Sequence, residues 1–185
     1  MFDKPYRFHG SHANRARALY SIFDNESKAQ IFKFAKEVYA YAPLVGFLYQ
    51  RRADLNHEKN PETGEEYDVS IMTEQVMSIG EDLALNFALI MLLDTDYEPD
   101  EEKRVDKALR HTGKDPGDEA RFDAYVRGGV DVLYEKLIAG GGSAQDYVNR
   151  LYDFVDDINE RYNQNVNLDE LTALCLTVSA EDEEE

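Results

Sequence analysis

The chain has 185 residues, of which 43% are hydrophobic, including twelve tyrosines and nine phenylalanines, and it carries a formal charge of −18. That is enough length and apolar content to bury a real core, so the composition excludes a disordered polyelectrolyte. A single cysteine, Cys175, excludes an intrachain disulfide and a thiolate zinc cluster, and reads as a small apolar residue within "ELTALCLTV".

The start, "MFDKPYRFHGSH", has no apolar run of signal-peptide type, and the longest apolar segment is Phe87–Leu93. Seven residues fall far short of the ~20 needed to span a bilayer, so the expectation is a soluble, cytoplasmic protein. The charge is uneven. Residues 1–60 hold ten Lys/Arg and six Asp/Glu, whereas residues 61–185 hold ten and thirty-two. A solvated acidic surface with chance clustering explains this as well as a basic end that meets an acidic partner or polyanion.

In chain order, "SHANRARALYSIF" predicts a helix with Ser11 as N-cap and Ala16, Leu19 and Phe23 on one face. The cluster Asp24–Ser27 then predicts the start of a spine helix. Phe32, Ala35, Tyr39, Ala42, Gly46, Tyr49 and Ala53 trace one face of it for more than seven turns. Pro43 lies inside that pattern, where a missing N–H and a crowding ring cost ~3 kcal/mol and predict a kink, or the meeting of two helices. Gly46, on the same apolar face, predicts close approach of a neighbouring backbone.

"LNHEKNPETGEEYD" carries Asn-Pro and Thr-Gly punctuation and predicts a surface loop or hairpin-like turn. "VSIMTEQVMSI" fits either a short strand or irregular structure. "EDLALNFALIMLLDT", apolar nearly all round with Leu83, Phe87, Ile90 and Met91 in a stripe, predicts the central core helix. A short exposed helix closed by Gly113 follows, and then "EARFDAYVRGGVDVLYEKL", with Phe122, Tyr125, Val126, Val130, Leu133 and Leu137 inward. Gly128 and Gly129 interrupt it at a cost of ~1–2 kcal/mol against alanine, which tight contact or a bend must offset. Ser143 and Asp146 resemble a capping box for a helix with Val148, Leu151, Val155 and Ile158 in its stripe. A last short helix is predicted after Asn167, followed by the acidic tail. The expected architecture is an all-α, single-domain bundle of about six helices over residues 1–178, with a disordered acidic tail over 179–185.

Catalytic patterns are thin. There is no His-Glu-x-x-His, no Gly-x-Ser-x-Gly, and no paired Glu-x-x-His carboxylates. His9 and His12 are spaced i, i+3 without a third nearby ligand, and His57 and His111 sit in polar, solvated surroundings, so no metal and no cofactor is expected. Glu74, Glu81 and Asp82 suit the positive end of the central helix dipole. The remaining candidate is basic: Lys33, Lys36, Arg51 and Arg52 as a binding set on the spine helix and its end, with Pro43, Gly46, Gly128 and Gly129 as structural residues. Such a set would dock an acidic protein, or contact a phosphate backbone weakly and in a salt-sensitive way.

"IFKFAKEVYAYAPLVGFLYQRR" resembles the signature of small proteins associated with bacterial DNA phosphorothioation (Dnd-system-associated proteins). The resemblance is carried by Ile31-Phe32, Glu37-Val38, Val45-Gly46-Phe47 and Arg51-Arg52, and by a second block, "FDAYVRGGVDVLYEKL", over Phe122–Leu137. It covers about Phe23 to Ile158. The first twenty residues and the part after Ile158 look additional, and Pro43 departs from an alanine-like position. The resemblance implies a non-enzymatic accessory or adaptor protein of a phage-defence, DNA-modification-linked restriction system. Such a protein would bind an ATPase, nuclease or modification subunit and carry no catalytic residues. Two rivals are an acidic DNA mimic that occupies a nuclease's DNA groove, motivated by the −22 balance of residues 61–185, and a metal-dependent enzyme on a helical bundle.

Overall fold

The structure, a computed structural model, describes residues 2–110 and 112–162. The chain divides into two compact units, Met1–Leu151 and Tyr152–Glu185, a boundary that falls inside the single domain expected over 1–178. The predicted last helix, Cys175, the acidic tail and His111 lie outside the described residues.

The first unit is mostly helical, and the all-α expectation is corrected by a two-stranded antiparallel sheet. Strand β1 (Tyr6–His9) pairs with β2 (Asp68–Ile71), with Phe8 opposite Val69 and Tyr6 opposite Ile71. Phe8, Val69 and Ile71 are buried and Arg7, Asp68 and Ser70 are exposed, the period-2 alternation of a sheet with one wet face. The first strand thus contributes Phe8 to the core.

Helix α1 (Gly10–Leu19) buries Ala13, Ala16 and Leu19. Its cap is not Ser11. The Ser11 N–H donates to the Asn56 side chain at 2.8 Å, from 45 residues away. The long spine helix is also corrected. Asp24 receives the Glu26 and Ser27 N–H groups and the Ser27 hydroxyl, closing a turn rather than capping a helix. Helix α2 starts only at Ala35 and ends at Leu48. Its end is a Schellman closure: Gln50 takes φ +50, its N–H reaches the Phe47 carbonyl, and the Arg51 N–H reaches that of Gly46 at 2.8 Å. The helix passes through Pro43 unbroken, so the two-helix alternative fails. Beside the site of the lost hydrogen bond, the Ala40 carbonyl accepts the Asn86 side-chain amide at 2.7 Å.

After β2 come α3 (Thr73–Met77), α4 (Gly80–Leu93), α5 (Glu101–Val105) with a π-helical turn Asp106–Arg110, α6 (Pro116–Leu137) and α7 (Ala144–Tyr162). Asp115 caps α6 with Pro116 at its first position. The Ser143/Asp146 pair closes the start of α7 reciprocally, at 2.7 Å and 3.4 Å. The expected core stripe of α7 is not buried: Val148, Leu151 and Val155 are exposed.

Helices α2 and α6 cross through glycine. A Cβ on Gly46 would stand 2.1 Å from the Tyr125 carbonyl oxygen, and one on Gly129 would stand 1.7 Å from that of Ala42. A Cβ on Gly128 would stand 2.0 Å from the Arg51 carbonyl oxygen. Each contact is backbone on backbone, so no side chain fits, and α6 runs straight through its glycine pair rather than breaking there. Below the crossing, Asp94 takes both Arg121 (2.7 and 3.0 Å) and the Tyr125 hydroxyl (2.9 Å), a polar network in which the buried carboxylate is fully partnered.

Candidate functional site

The four basic residues proposed from sequence do not form one surface. Lys33 and Lys36 lie at the start of α2 and Arg51 and Arg52 beyond its end, about 20 Å apart along a 14-residue helix. Lys36 donates to the Ser78 hydroxyl at 3.0 Å, and Lys33 lies over the Phe34 ring. Arg51 is already paired, donating to Glu135 at 3.0 Å, and Arg52 stacks over Tyr125. Exposed pairs of this kind screen a guanidinium without immobilising it. The cationic corner is thus half neutralised by the chain itself. Other basic residues are spent in the same way: Arg15 on Asp131, Lys107 on Asp118, and Arg17 on the Asp68 carbonyl.

What sequence reasoning missed is an apolar face. Helix α4 buries Leu83, Phe87, Ile90 and Met91 as its composition predicts, yet Leu85, Leu89 and Leu93 are 59, 37 and 56% exposed. These three leucines stand at i, i+4 and i+8, one above another on the outer side of α4. Exposed acids flank them along the chain: Glu81 and Asp82 at the start of α4, Asp96 beyond its end, and Glu101 and Glu102 on α5, which packs on α4. The all-round apolarity that suggested a central helix belongs instead to a helix with one covered and one open face. The signal was present in "LALNFALIMLL", where apolar residues occupy every side of the wheel and Leu85, Leu89 and Leu93 share the side opposite Phe87.

The second feature is a polar cleft of about 310 Å³ between β1, α1 and α6, with His9, His12, Asp123 and Arg127 among its walls. A smaller cavity of about 150 Å³ lies on the other side of Asp123, bounded by Tyr6, Tyr39 and Phe122. Tyr6 and Tyr39 stack at 3.9 Å, and burial holds both phenols above the ordinary tyrosine range. Burial also pushes the Asp123 carboxyl up to about 6, with Arg127 opposing and Glu119 assisting. His12 is buried between Asn56 and Asp131. The Asn56 amide oxygen accepts from Ser11 N–H, so its nitrogen faces His12 Nδ1 at 3.3 Å and leaves Nε2–H for Asp131 at 3.4 Å. Burial raises the Asp131 pKa, but hydrogen bonds from His12 and Arg15 outweigh it and hold the carboxyl below the ordinary range.

At the rim of this cleft, His9 meets not His12, its neighbour at i+3, but two other residues. His9 Nδ1 and His57 Nδ1 each lie 2.8 Å from the same oxygen, Oε1 of Glu66. The segment "NHEKNPETGEE" folds back on itself: Lys59 bridges to Glu66, and the Gly64 N–H donates to the Asn60 carbonyl. The hairpin-like turn expected from Asn-Pro and Thr-Gly brings Glu66 to His57, and the Gly10 N–H to Tyr67 carbonyl bond (2.8 Å) fastens both to the end of β1. Hydrogen bonds from His57 and His9 hold the Glu66 carboxyl below the ordinary glutamate range. His57 is an exposed loop histidine, as its surroundings in the sequence predict, but its ring is tied to Glu66.

A larger cavity, about 470 Å³, lies among Lys103, Lys107, Lys114 and the start of α6. Its central cation, Lys107, is committed to Asp118 at 2.6 Å and Asp115 at 3.4 Å. Among the described residues no helix is long and apolar enough to cross a membrane. In comparisons with known proteins, no family model, no curated protein and no solved structure matches the chain.

Proposed function

We propose that this chain is a non-enzymatic accessory protein that docks on a larger protein component through the outer face of α4. The observation that carries this is the open leucine stripe Leu85, Leu89 and Leu93 on a strongly acidic molecule. Contiguous apolar surface of this kind, rimmed by charge, is characteristic of protein contact sites. The occupant the stripe fits is a partner helix with its own apolar face and a Lys/Arg border to meet Glu81, Asp82, Glu101 and Glu102. A second copy of this chain fits poorly, because two molecules of charge −18 repel. The biological setting proposed is a bacterial DNA-modification-linked phage-defence system in the cytoplasm, and its support is the resemblance carried by Ile31–Arg52 and Phe122–Leu137. The Arg51–Glu135 pair moves the contact away from the basic corner and from direct DNA binding.

Co-expression with the proteins encoded beside its own gene tests the reading. One of them is expected to co-purify at fixed stoichiometry with the wild-type chain and with Arg51→Glu/Arg52→Glu, and to be lost with Leu85→Lys/Leu89→Lys. The leucines are exposed, so that variant should keep its thermal unfolding profile, within about ±0.5 kcal/mol. Retention of the complex by the leucine variant would sink the docking face. Displacement of DNA from the captured partner would favour the DNA-mimic reading instead.

A further inference from the structure

We infer that His9, His57 and Glu66 form a binding site for a divalent transition-metal ion of the zinc class. The ligand atoms of these three residues lie within 4.8 Å of one another. Two neutral imidazoles and one carboxylate are a donor set that zinc and its neighbours in the first transition row accept, with remaining positions open to water. Metal–nitrogen and metal–oxygen bonds of about 2.0–2.2 Å at a tetrahedral angle require ligand atoms roughly 3.3 Å apart. The two imidazole-to-carboxylate contacts are 2.8 Å and must each open by about half an ångström to admit an ion, while the third separation, between the two imidazole nitrogens, lies within 4.8 Å.

The three side chains come from separately anchored backbone. His9 ends β1 in register with Asp68, Glu66 is held by the bridge to Lys59, and His57 follows Asn56, whose side chain is fixed on the start of α1. Their side chains are 30, 59 and 33% exposed in the order His9, His57, Glu66, so an ion can enter from solvent without unfolding anything. His9 also forms part of the cleft wall, which leaves room beside the ion for water or a small ligand. The alternative is a hydrogen-bonded clasp in which Glu66 merely accepts from both rings.

Titration of the untagged, chelator-treated full-length chain with Zn2+, followed by calorimetry, separates the two. The expected result is one ion per chain, with affinity reduced about 100-fold or more by His57→Ala. Glu66→Gln is the sharper variant. Its amide oxygen still accepts from both imidazoles and keeps the clasp, yet it is a far poorer zinc ligand, so affinity should fall at least ~10-fold with unchanged thermal unfolding of the metal-free protein. Co2+ substitution should give the intense visible bands of a four-coordinate site, absent in His57→Ala. No saturable binding, or binding equal in wild type, His57→Ala and Glu66→Gln, would overturn the site and assign the ions to surface carboxylates.

Discussion

Replacing Asp123 with asparagine should stabilise the protein at neutral pH and leave it unchanged in acid. Asp123 is half-buried on α6 between two cavities, and burial raises its carboxyl from the ordinary 3.8 to about 6. Well below pH 3.8 the group is protonated in both folded and unfolded chains and contributes no difference. Between about 4 and 6 the folded chain holds a proton that the unfolded chain has lost, so stability falls as pH rises. Above that window the full cost of burying the carboxylate is present. At ~1.4 kcal/mol per decade of pKa the cost is at most ~3 kcal/mol, and contact with cavity solvent reduces the expected value to about 1–2 kcal/mol. Asparagine keeps the shape and removes the charge, while Arg127 keeps its own anchor, the Ala53 carbonyl at 2.8 Å. Urea unfolding of both proteins at pH 3, 4, 5, 6 and 7 measures the difference, which should grow from near zero to its full value across the series. A difference that is constant with pH, or an Asp123→Asn variant less stable at pH 7, would show that Arg127 stabilises the carboxylate more than burial destabilises it.

Gly129→Ala places a methyl 1.7 Å from the Ala42 carbonyl and should cost more than ~3 kcal/mol by thermal unfolding, whereas Gly80→Ala, with open space around it, should be neutral or slightly stabilising. Asp131→Asn should show the opposite pH signature to Asp123→Asn. The depressed pKa of Asp131 contributes stability that is present above the ordinary aspartate range and lost as pH falls through its folded value, so a deficit of about 1.5–3 kcal/mol at pH 7 should shrink below pH 4. A double-mutant cycle on Arg51 and Glu135 should give a coupling below ~1 kcal/mol that fades with salt, because both side chains are half exposed. Gly128→Ala should weaken Zn2+ binding although it touches none of the three ligands.

The helical stripes were legible because burial leaves a period. Leu83, Phe87, Ile90 and Met91 in α4, and Phe122, Tyr125, Val126, Val130, Leu133 and Leu137 in α6, are buried as their spacing requires, whereas Val148, Leu151 and Val155 in α7 are not. Gly46, Gly128 and Gly129 were legible as close approaches, though not as partners of one another, since nothing local in α2 names α6. The ends of α2 were misread because the apolar pattern continues through Phe32 and Ala53 while the hydrogen bonding does not. Asp24 competes for the backbone at one end, and Gln50 adopts the left-handed conformation at the other without being glycine. The sheet was half legible: the strand option for "VSIMTEQVMSI" holds over Val69–Ile71 in β2, whereas β1 was missed because a four-residue strand carries only two alternations. The His9, His57 and Glu66 cluster was illegible for a stricter reason: 48 residues separate the histidines, and tertiary contacts, the β1–β2 pairing and the Asn56 bond to α1 among them, bring the hairpin to His9.

The glycine crossing and the histidine cluster belong to one mechanical sequence. Without a Cβ, Gly128 admits the Arg51 carbonyl, and the chain leaving α2 can lie flat on α6. Two bonds then hold it there: Ala53 N–H to the Ala124 carbonyl at 3.0 Å, and Arg127 to the Ala53 carbonyl at 2.8 Å. Three residues further, Asn56 reaches the first turn of α1, where Gly10, at φ +55, leaves room that any Cβ would fill, 2.0 Å from the Asn56 amide oxygen. The next residue is His57. Its position is therefore fixed by backbone contacts that tolerate no added carbon, which makes the placement of an otherwise exposed histidine a consequence of the fold rather than of the loop. A methyl at position 128 would lift the Arg51 carbonyl by more than an ångström, since ordinary contact begins near 3.4 Å. Transmission of that displacement through Ala53 and Asn56 to His57 is the expected cause of weaker Zn2+ binding in Gly128→Ala, and calorimetric titration of a folded variant that binds as tightly as wild type would refute it.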